Sequence, residues 1–227
     1  MTVRKKSISM LIALAMFLTG FAMIGASEKA YAEGVNDIEK SYQTFYYPKA
    51  KGWNTEWLAD VSEVTIDMAT VKSSKPSVAV LKKDTWTDDD GKVYGNYQIK
   101  SKKPGTTTLT FQAKDANAEN YVTKTVKVKV VKFVNPAKTF KIGSKNYAKK
   151  YNGKPYYNIK KKVSGKVNVK AKKGWKVDSI YFYDESKGKS KKIKNGKKVT
   201  FDKFDGVQVC FKKKGKNLYE WIYIDRY

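Results

Sequence analysis

Three stretches of this chain alternate apolar and polar residues with a period of two. Leu109, Phe111 and Ala113 sit between Thr108, Thr110 and Gln112; Val126, Val128 and Val130 sit between Lys127 and Lys129; Val167, Val169 and Ala171 sit between Lys166, Asn168, Lys170 and Lys172. Successive side chains of an extended strand point to opposite faces, so each run buries its apolar members only as a β-strand with one face covered. No apolar stripe of three helical turns competes with this pattern after the first 32 residues. Turn-forming pairs punctuate the runs at Lys75-Pro76, Asp90-Gly91, Pro104-Gly105, Gly174-Trp175 and Lys187-Gly188. Asn195-Gly196, between lysine-rich arms, predicts a tight hairpin. Short strands at this spacing pack as two sheets face to face, so the chain is expected to be all-β and built of sandwiches.

The start of the chain predicts export. Arg4, Lys5 and Lys6 precede an almost uncharged apolar run from Ile8 to Ile24, and Ala30-Tyr31-Ala32 supplies the small-x-small pattern of a peptidase site. A single membrane anchor is the alternative, since the run approaches the length that spans a bilayer. The cleavage triplet at the usual distance favours a signal peptide over residues 1–32, after which no stretch is apolar enough to cross a membrane. One cysteine, Cys210, closes no internal disulfide in an exported chain, so stability must come from packing. Histidine is absent, which removes Ser-His-Asp and Cys-His nucleophile chemistry and the commonest zinc ligand. Neither a catalytic site nor a cofactor is expected.

Four segments in the first half occur in a recognisable order. They are Ser73-Ser74-Lys75-Pro76-Ser77-Val78-Ala79-Val80, Gly91-Lys92-Val93-Tyr94-Gly95, Lys103-Pro104-Gly105-Thr106-Thr107-Thr108-Leu109-Thr110-Phe111, and the Val126 to Val130 run. Together they resemble the bacterial Ig-like domains of the group 2 type found in surface and wall proteins, over roughly residues 61–133. A longer acidic insertion around Trp86 to Asp90 and an aromatic lead-in from Tyr42 to Trp57 depart from that pattern. The resemblance implies a spacer or adhesive module without an active site. The second half alternates likewise at Val199 with Phe201 and at Val207, Val209 and Phe211, and seven or so strands fit its length, which suits a second Ig-like sandwich of no named family. The expected organisation is two tandem Ig-like β-sandwich domains after an N-terminal signal peptide, with boundaries 1–32, 33–136 and 137–227 at the Asn135-Pro136 step.

Charge separates the two halves. Between Glu33 and Pro136, 16 lysines face 13 acids; from Ala137 to Tyr227, 26 lysines and one arginine face 7 acids, a net of about +20. Such a field attracts polyanions over about a Debye length. Lysines outnumber arginines 45 to 2, and lysine lacks the bidentate fork that reads base edges, so sequence-specific nucleic-acid binding is not expected. The expected role is a non-catalytic binding or adhesion protein of the cell envelope, held on anionic wall or host polymers such as teichoic acids or acidic glycans. The alternative is a structural module whose aromatics contact a protein partner.

Candidate ligand residues follow from strand parity. If Val167 and Val169 are core, Lys166, Lys170 and Lys172 point outward. If Ile180, Phe182, Ile222 and Ile224 are core, then Tyr181, Tyr183, Tyr219, Trp221 and Tyr223 form an outer aromatic row able to stack on a ligand, or else pack against neighbouring strands or the first domain. Cys210 shares that outer parity, either as a reactive thiol or as a covered small hydrophobe. Asp88-Asp89-Asp90-Gly91 has clustered carboxylates suited to calcium, but lacks the alternation and distal Glu of a calcium loop, and reads as a solvated hairpin tip.

Overall fold

A computed structural model describes residues 34–216 and 218–227, so the expected signal peptide over 1–32 lies outside the described residues. The fold is all-β: sixteen strands joined by turns and four short 3-10 segments, with no α-helix among the described residues. Contacts divide the chain into two units, residues 34–45 with 54–131 and residues 46–53 with 132–227.

The first unit is a sandwich of β1 (Ser41–Tyr46), β2 (Thr55–Asp60), β3 (Val64–Ser73), β4 (Ala79–Thr87), β5 (Val93–Ser101), β6 (Gly105–Asp115) and β7 (Val122–Lys132). One sheet has the order β1-β7-β6-β3 and the other β2-β5-β4. Taking β2 to β7 as strands B to G reproduces the Ig arrangement, with B, E and D in one sheet, C, F and G in the other, and β1 added beside G. Alternation is carried through: Leu109, Phe111, Val126 and Val128 of one sheet are buried, as are Leu58, Leu81 and Ile99 of the other. The segments behind the family resemblance are bonded to each other. The buried Thr107 hydroxyl accepts from the Lys75 N–H at 2.9 Å and lies 3.0 Å from the Ser73 hydroxyl. Gly105, at φ +152°, lets β6 begin against Val78, whose side chain lies 2.9 Å from where a Cβ would stand.

The acidic insertion forms the tip of the β4–β5 hairpin. One Asp88 carboxylate oxygen accepts from the N–H groups of Asp90 and Lys92, at 3.0 and 2.8 Å, and so fastens the turn.

The second unit contains β8 (Ala137–Ile142), β9 (Lys145–Asn146), β10 (Tyr156–Ile159), β11 (Val163–Ala171), β12 (Trp175–Asp184), β13 (Lys189–Lys192), β14 (Lys198–Phe201), β15 (Gly206–Lys213) and β16 (Tyr219–Arg226). Its sheets have the orders β14-β11-β8-β9 and β10-β16-β15-β12-β13, and β10 runs parallel to β16. With β8, β11 and β14 as A, B and E, and β12, β15 and β16 as C, F and G, this is again an Ig-like sandwich. Phe140, Ile142, Val167, Val169 and Phe201 from one sheet meet Ile180, Val209, Phe211, Ile222 and Ile224 from the other in a buried core.

Asn195-Gly196 does not close a hairpin. Its flanking strands, β13 and β14, belong to different sheets, and the turn carries the chain from one sheet to the other. The reason lies in the Asn195 side chain, whose amide accepts from the Val169 N–H at 2.9 Å and donates to the Val169 carbonyl at 2.8 Å. It takes the place of a strand residue on β11, and β14 continues the ladder from there. At the Asn135-Pro136 step, Asn135 accepts from the Ala137 N–H and donates to the Ala148 carbonyl, which fixes that step within the second unit.

Residues 46–53 also group with this unit, although most of the first unit follows them in sequence. Tyr47 packs against Phe133, with ring centroids 5.1 Å apart, and its hydroxyl lies 3.3 Å from Glu220. Trp53 stacks on Tyr156 at 5.1 Å and leans on Tyr223 at 5.5 Å.

Candidate functional site

The four strands β8, β9, β11 and β14 carry six lysines and no carboxylate. All six, Lys138, Lys141, Lys145, Lys166, Lys170 and Lys198, are exposed, because Phe140, Ile142, Val167, Val169, Val199 and Phe201 take the inward positions. Register sets the grid. Lys166 lies opposite Lys198, Asn168 opposite Lys141, and Lys170 opposite Thr139. Like charges directly across a ladder repel, so the facing pair Lys166 and Lys198 costs stability unless an anion lies between them. None of the six makes an ion pair among the described residues. Thr139, Lys141, Asn168, Lys170 and Asn195 ring an open depression of about 390 Å³ over Val169. Cations beside a hydroxyl and an amide suit the oxygens of phosphate, sulfate or carboxylate groups.

Lys172 stands just past β11, exposed, with its N–H bonded to the Pro136 carbonyl at 2.8 Å. Lys166, Lys170 and Lys172 therefore fall on or beside one sheet. The five candidate rings fall on the other. Tyr181 and Tyr183 on β12, and Tyr219, Trp221 and Tyr223 on β16, occupy the outer parity of the five-stranded sheet and are half-buried. A rung runs across it from Tyr156 through Tyr223 and Gln208 to Tyr181 and Lys192. The Tyr181 and Trp221 rings lie 6.3 Å apart, and Gln208 donates to the Tyr223 hydroxyl at 3.3 Å. The candidate lysines and the candidate rings thus face opposite ways across the sandwich, while Lys192 and Lys212 share the sheet of the rings.

Cys210 lies between these rings in register with Trp221 and Ser179, and is buried. Burial, with a smaller contribution from Asp178, pushes its thiol up to about 12, so it carries no thiolate at neutral pH. Three acids of the unit are also buried, Asp205, Glu220 and Asp225, and Asp205 accepts from the Glu185 and Asp202 N–H groups. Burial alone pushes Asp225 up to about 8, and burial holds Glu220 well above the usual carboxylate range against the opposing bond from Tyr47. Neither offsets the lysine field at neutral pH.

A second group of lysines does not follow from strand parity, although the run Lys212-Lys213-Lys214-Gly215-Lys216 marks it in the sequence. With Lys176 these residues line an open cleft of about 470 Å³ at the end of the five-stranded sheet. Lys212 lies over the Tyr219 ring at 4.9 Å and Lys213 over Trp175 at 5.3 Å, so aromatic faces hold two of the cations in place. Among the described residues no helix is long and apolar enough to cross a membrane, and no group of three acids or thiols gathers as a metal site.

No protein-family model matches the chain, and neither does any curated protein. Among solved structures it matches the N-terminal four Ig domains of Dscam1 isoform 1.9 at 6% identity, over 82% of this chain and 49% of that one, with a TM-score of 0.24. Isoform 7.44 gives 6%, 82%, 49% and 0.22. Domains 4 and 5 of the S-layer protein SbsC match at 18% identity over 69% of each chain, with a TM-score of 0.19. The chain spans about half the length of these two Dscam1 chains. The Ig-like assignment rests on the strand pairing of each unit rather than on these likenesses.

Proposed function

We propose that the protein is an exported, non-catalytic module of the cell surface, held on anionic polymers by the lysine sheet of its second unit. The observation that carries this reading is the set of six exposed lysines on four strands without a carboxylate. Wall teichoic acids and acidic glycans present the repeated phosphate or carboxylate groups that such a grid neutralises, and each neutralised charge releases a counterion. The first unit, whose sheets mix acids with lysines, serves as the spacer or adhesive part. The half-buried rings of the opposite sheet favour packing over a stacking platform for the polymer.

The test is binding of the full chain to immobilised teichoic acid or heparin as salt is raised. Affinity should fall steeply with salt, and Lys166, Lys170 and Lys198 replaced together by Gln should weaken it at least tenfold with an unchanged melting temperature, since exposed lysines contribute little to folding. Salt-independent binding that survives this triple change but is lost in Trp221→Phe would favour a protein partner on the aromatic sheet instead.

A further inference from the structure

The lysine sheet and the lysine cleft are joined at one end of the second unit. The turn between β11 and β12 is Lys172-Lys173-Gly174, and the Gly174 carbonyl accepts from the Lys214 N–H at 2.9 Å. That bond ties the turn ending the lysine sheet to the lysine turn between β15 and β16. Lys172 and Lys173 are exposed there, as are Lys176, Lys214 and Lys216. A basic path therefore leads along the outer face of β11 from Lys166 through Lys170, passes over the end of the sandwich at Lys172 and Lys173, and enters the cleft beside Lys176. One acid, Asp178, acts on Lys212 near its far end.

Resting on the anion-binding reading above, we infer that this path binds one continuous segment of a flexible, linear polyanion bent over the end of the sandwich. Its length argues for a polymer. Six residues of strand from Lys166 to Lys172 span about 20 Å at ~3.3 Å each, and the sheets lie about 10 Å apart. A single phosphate or a short oligomer covers only part of that distance. A stiff duplex cannot follow the turn, because DNA resists bending over lengths far greater than a protein domain.

Inorganic polyphosphate is a suitable probe, available as tripolyphosphate and as long chains, with duplex DNA as the stiff control. With the full chain, long polyphosphate should bind more than tenfold tighter per phosphate than tripolyphosphate. Its salt slope should be about 6, from eight or nine contacted lysines at ~0.7 each, against about 2 for tripolyphosphate. Lys176, Lys214 and Lys216 replaced by Gln should weaken long-chain binding at least tenfold, leave tripolyphosphate binding to the sheet nearly unchanged, and lower the long-chain slope by about 2.

If the sheet variant Lys166, Lys170 and Lys198 to Gln loses binding while the cleft variant does not, the path is refuted and the anion-binding reading stands. Per-phosphate affinity independent of chain length, or duplex DNA binding as tightly per charge as long polyphosphate, also refutes it. Loss of binding in neither variant overturns both. The melting temperature of each variant, expected unchanged for exposed lysines, separates lost contacts from lost folding.

Discussion

Asp225 is the residue whose replacement most directly tests the packing of the second unit. It lies near the end of β16 in register with Gly206, and its carboxylate stands where a Cβ on Gly206 would go. Burial raises its pKa from 3.8 to about 8. In the unfolded chain it ionises near 3.8, so the folded state holds a proton that the unfolded state releases between these two values. Stability contributed by this group is therefore complete below about pH 4 and is lost as pH rises through about 8. Four pKa units at ~1.4 kcal/mol each set an upper bound of about 6 kcal/mol on that loss.

Asp225→Asn keeps the shape and removes the titration. Urea unfolding of both proteins from pH 4 to pH 9.5 should show the variant more stable by a few kcal/mol at pH 9, and within about 1 kcal/mol of the parent at pH 4. A shallower slope should remain in the variant, because burial pushes Glu56 up to about 7 and holds Glu220 high as well. A variant less stable than the parent at pH 9, or parallel pH profiles, would show that Asp225 is ionised and satisfied in the fold, and the argument from burial would fail.

Two further outcomes follow from the second unit. Trp53→Ala should cost about 2–3 kcal/mol, since it removes a half-buried indole stacked on Tyr156 and Tyr223, and proteolysis should then cut between residues 46 and 53; an unchanged melt would mean this segment contributes nothing to the fold. Cys210 should resist a thiol reagent at pH 8 until urea unfolds the chain, and labelling of the native protein within minutes would contradict its burial and its raised pKa.

Strand identity was legible because period two has a single physical cause. β6, β7 and β11 bury the residues that their alternation marks, and the parity that puts Lys166 and Lys170 outward follows from the same rule. Parity does not say which sheet a strand joins. That depends on pairing between residues far apart in sequence, so the placing of Lys166 and Lys170 on one sheet and the candidate rings on the other could not be read from the chain. The Asn195-Gly196 signal misled for a related reason. A tight turn is a local property, whereas the engagement of the Asn195 amide with Val169 is a tertiary one, and it decides where β14 goes. Residues 46–53 gave an aromatic signal without an address. Glu220 shared the inward parity of Ile222 and Ile224, so its burial was there to be found. The cleft was visible as a run of lysines, but its closeness to Lys172 needed the bond between Lys214 and Gly174.

The first unit acts as an internal control for the meaning of the lysines. A compositional bias toward lysine raises its frequency wherever a solvent-facing position is free, and both units offer such positions on Ig-like sheets. In the first unit the sheets that carry lysine also carry acids: the four lysines of β7 share a sheet with Asp67 on β3 and Asp115 on β6, and Lys82, Lys83 and Lys100 share the other with Asp84 on β4 and Glu56 and Asp60 on β2. In the second, acids are present but placed elsewhere. Glu220 and Asp225 are buried with raised pKa values, Asp184 pairs with Lys187, and Asp202 pairs with Lys162 just beyond the ends of β14 and β11. A sheet kept clear of carboxylates while Lys166 faces Lys198 carries a repulsion that one acid at either position would relieve at no cost to the core. Lysine frequency accounts for the number of these cations, but not for the exclusion of acids from one face, and it is the exclusion that a polyanion requires.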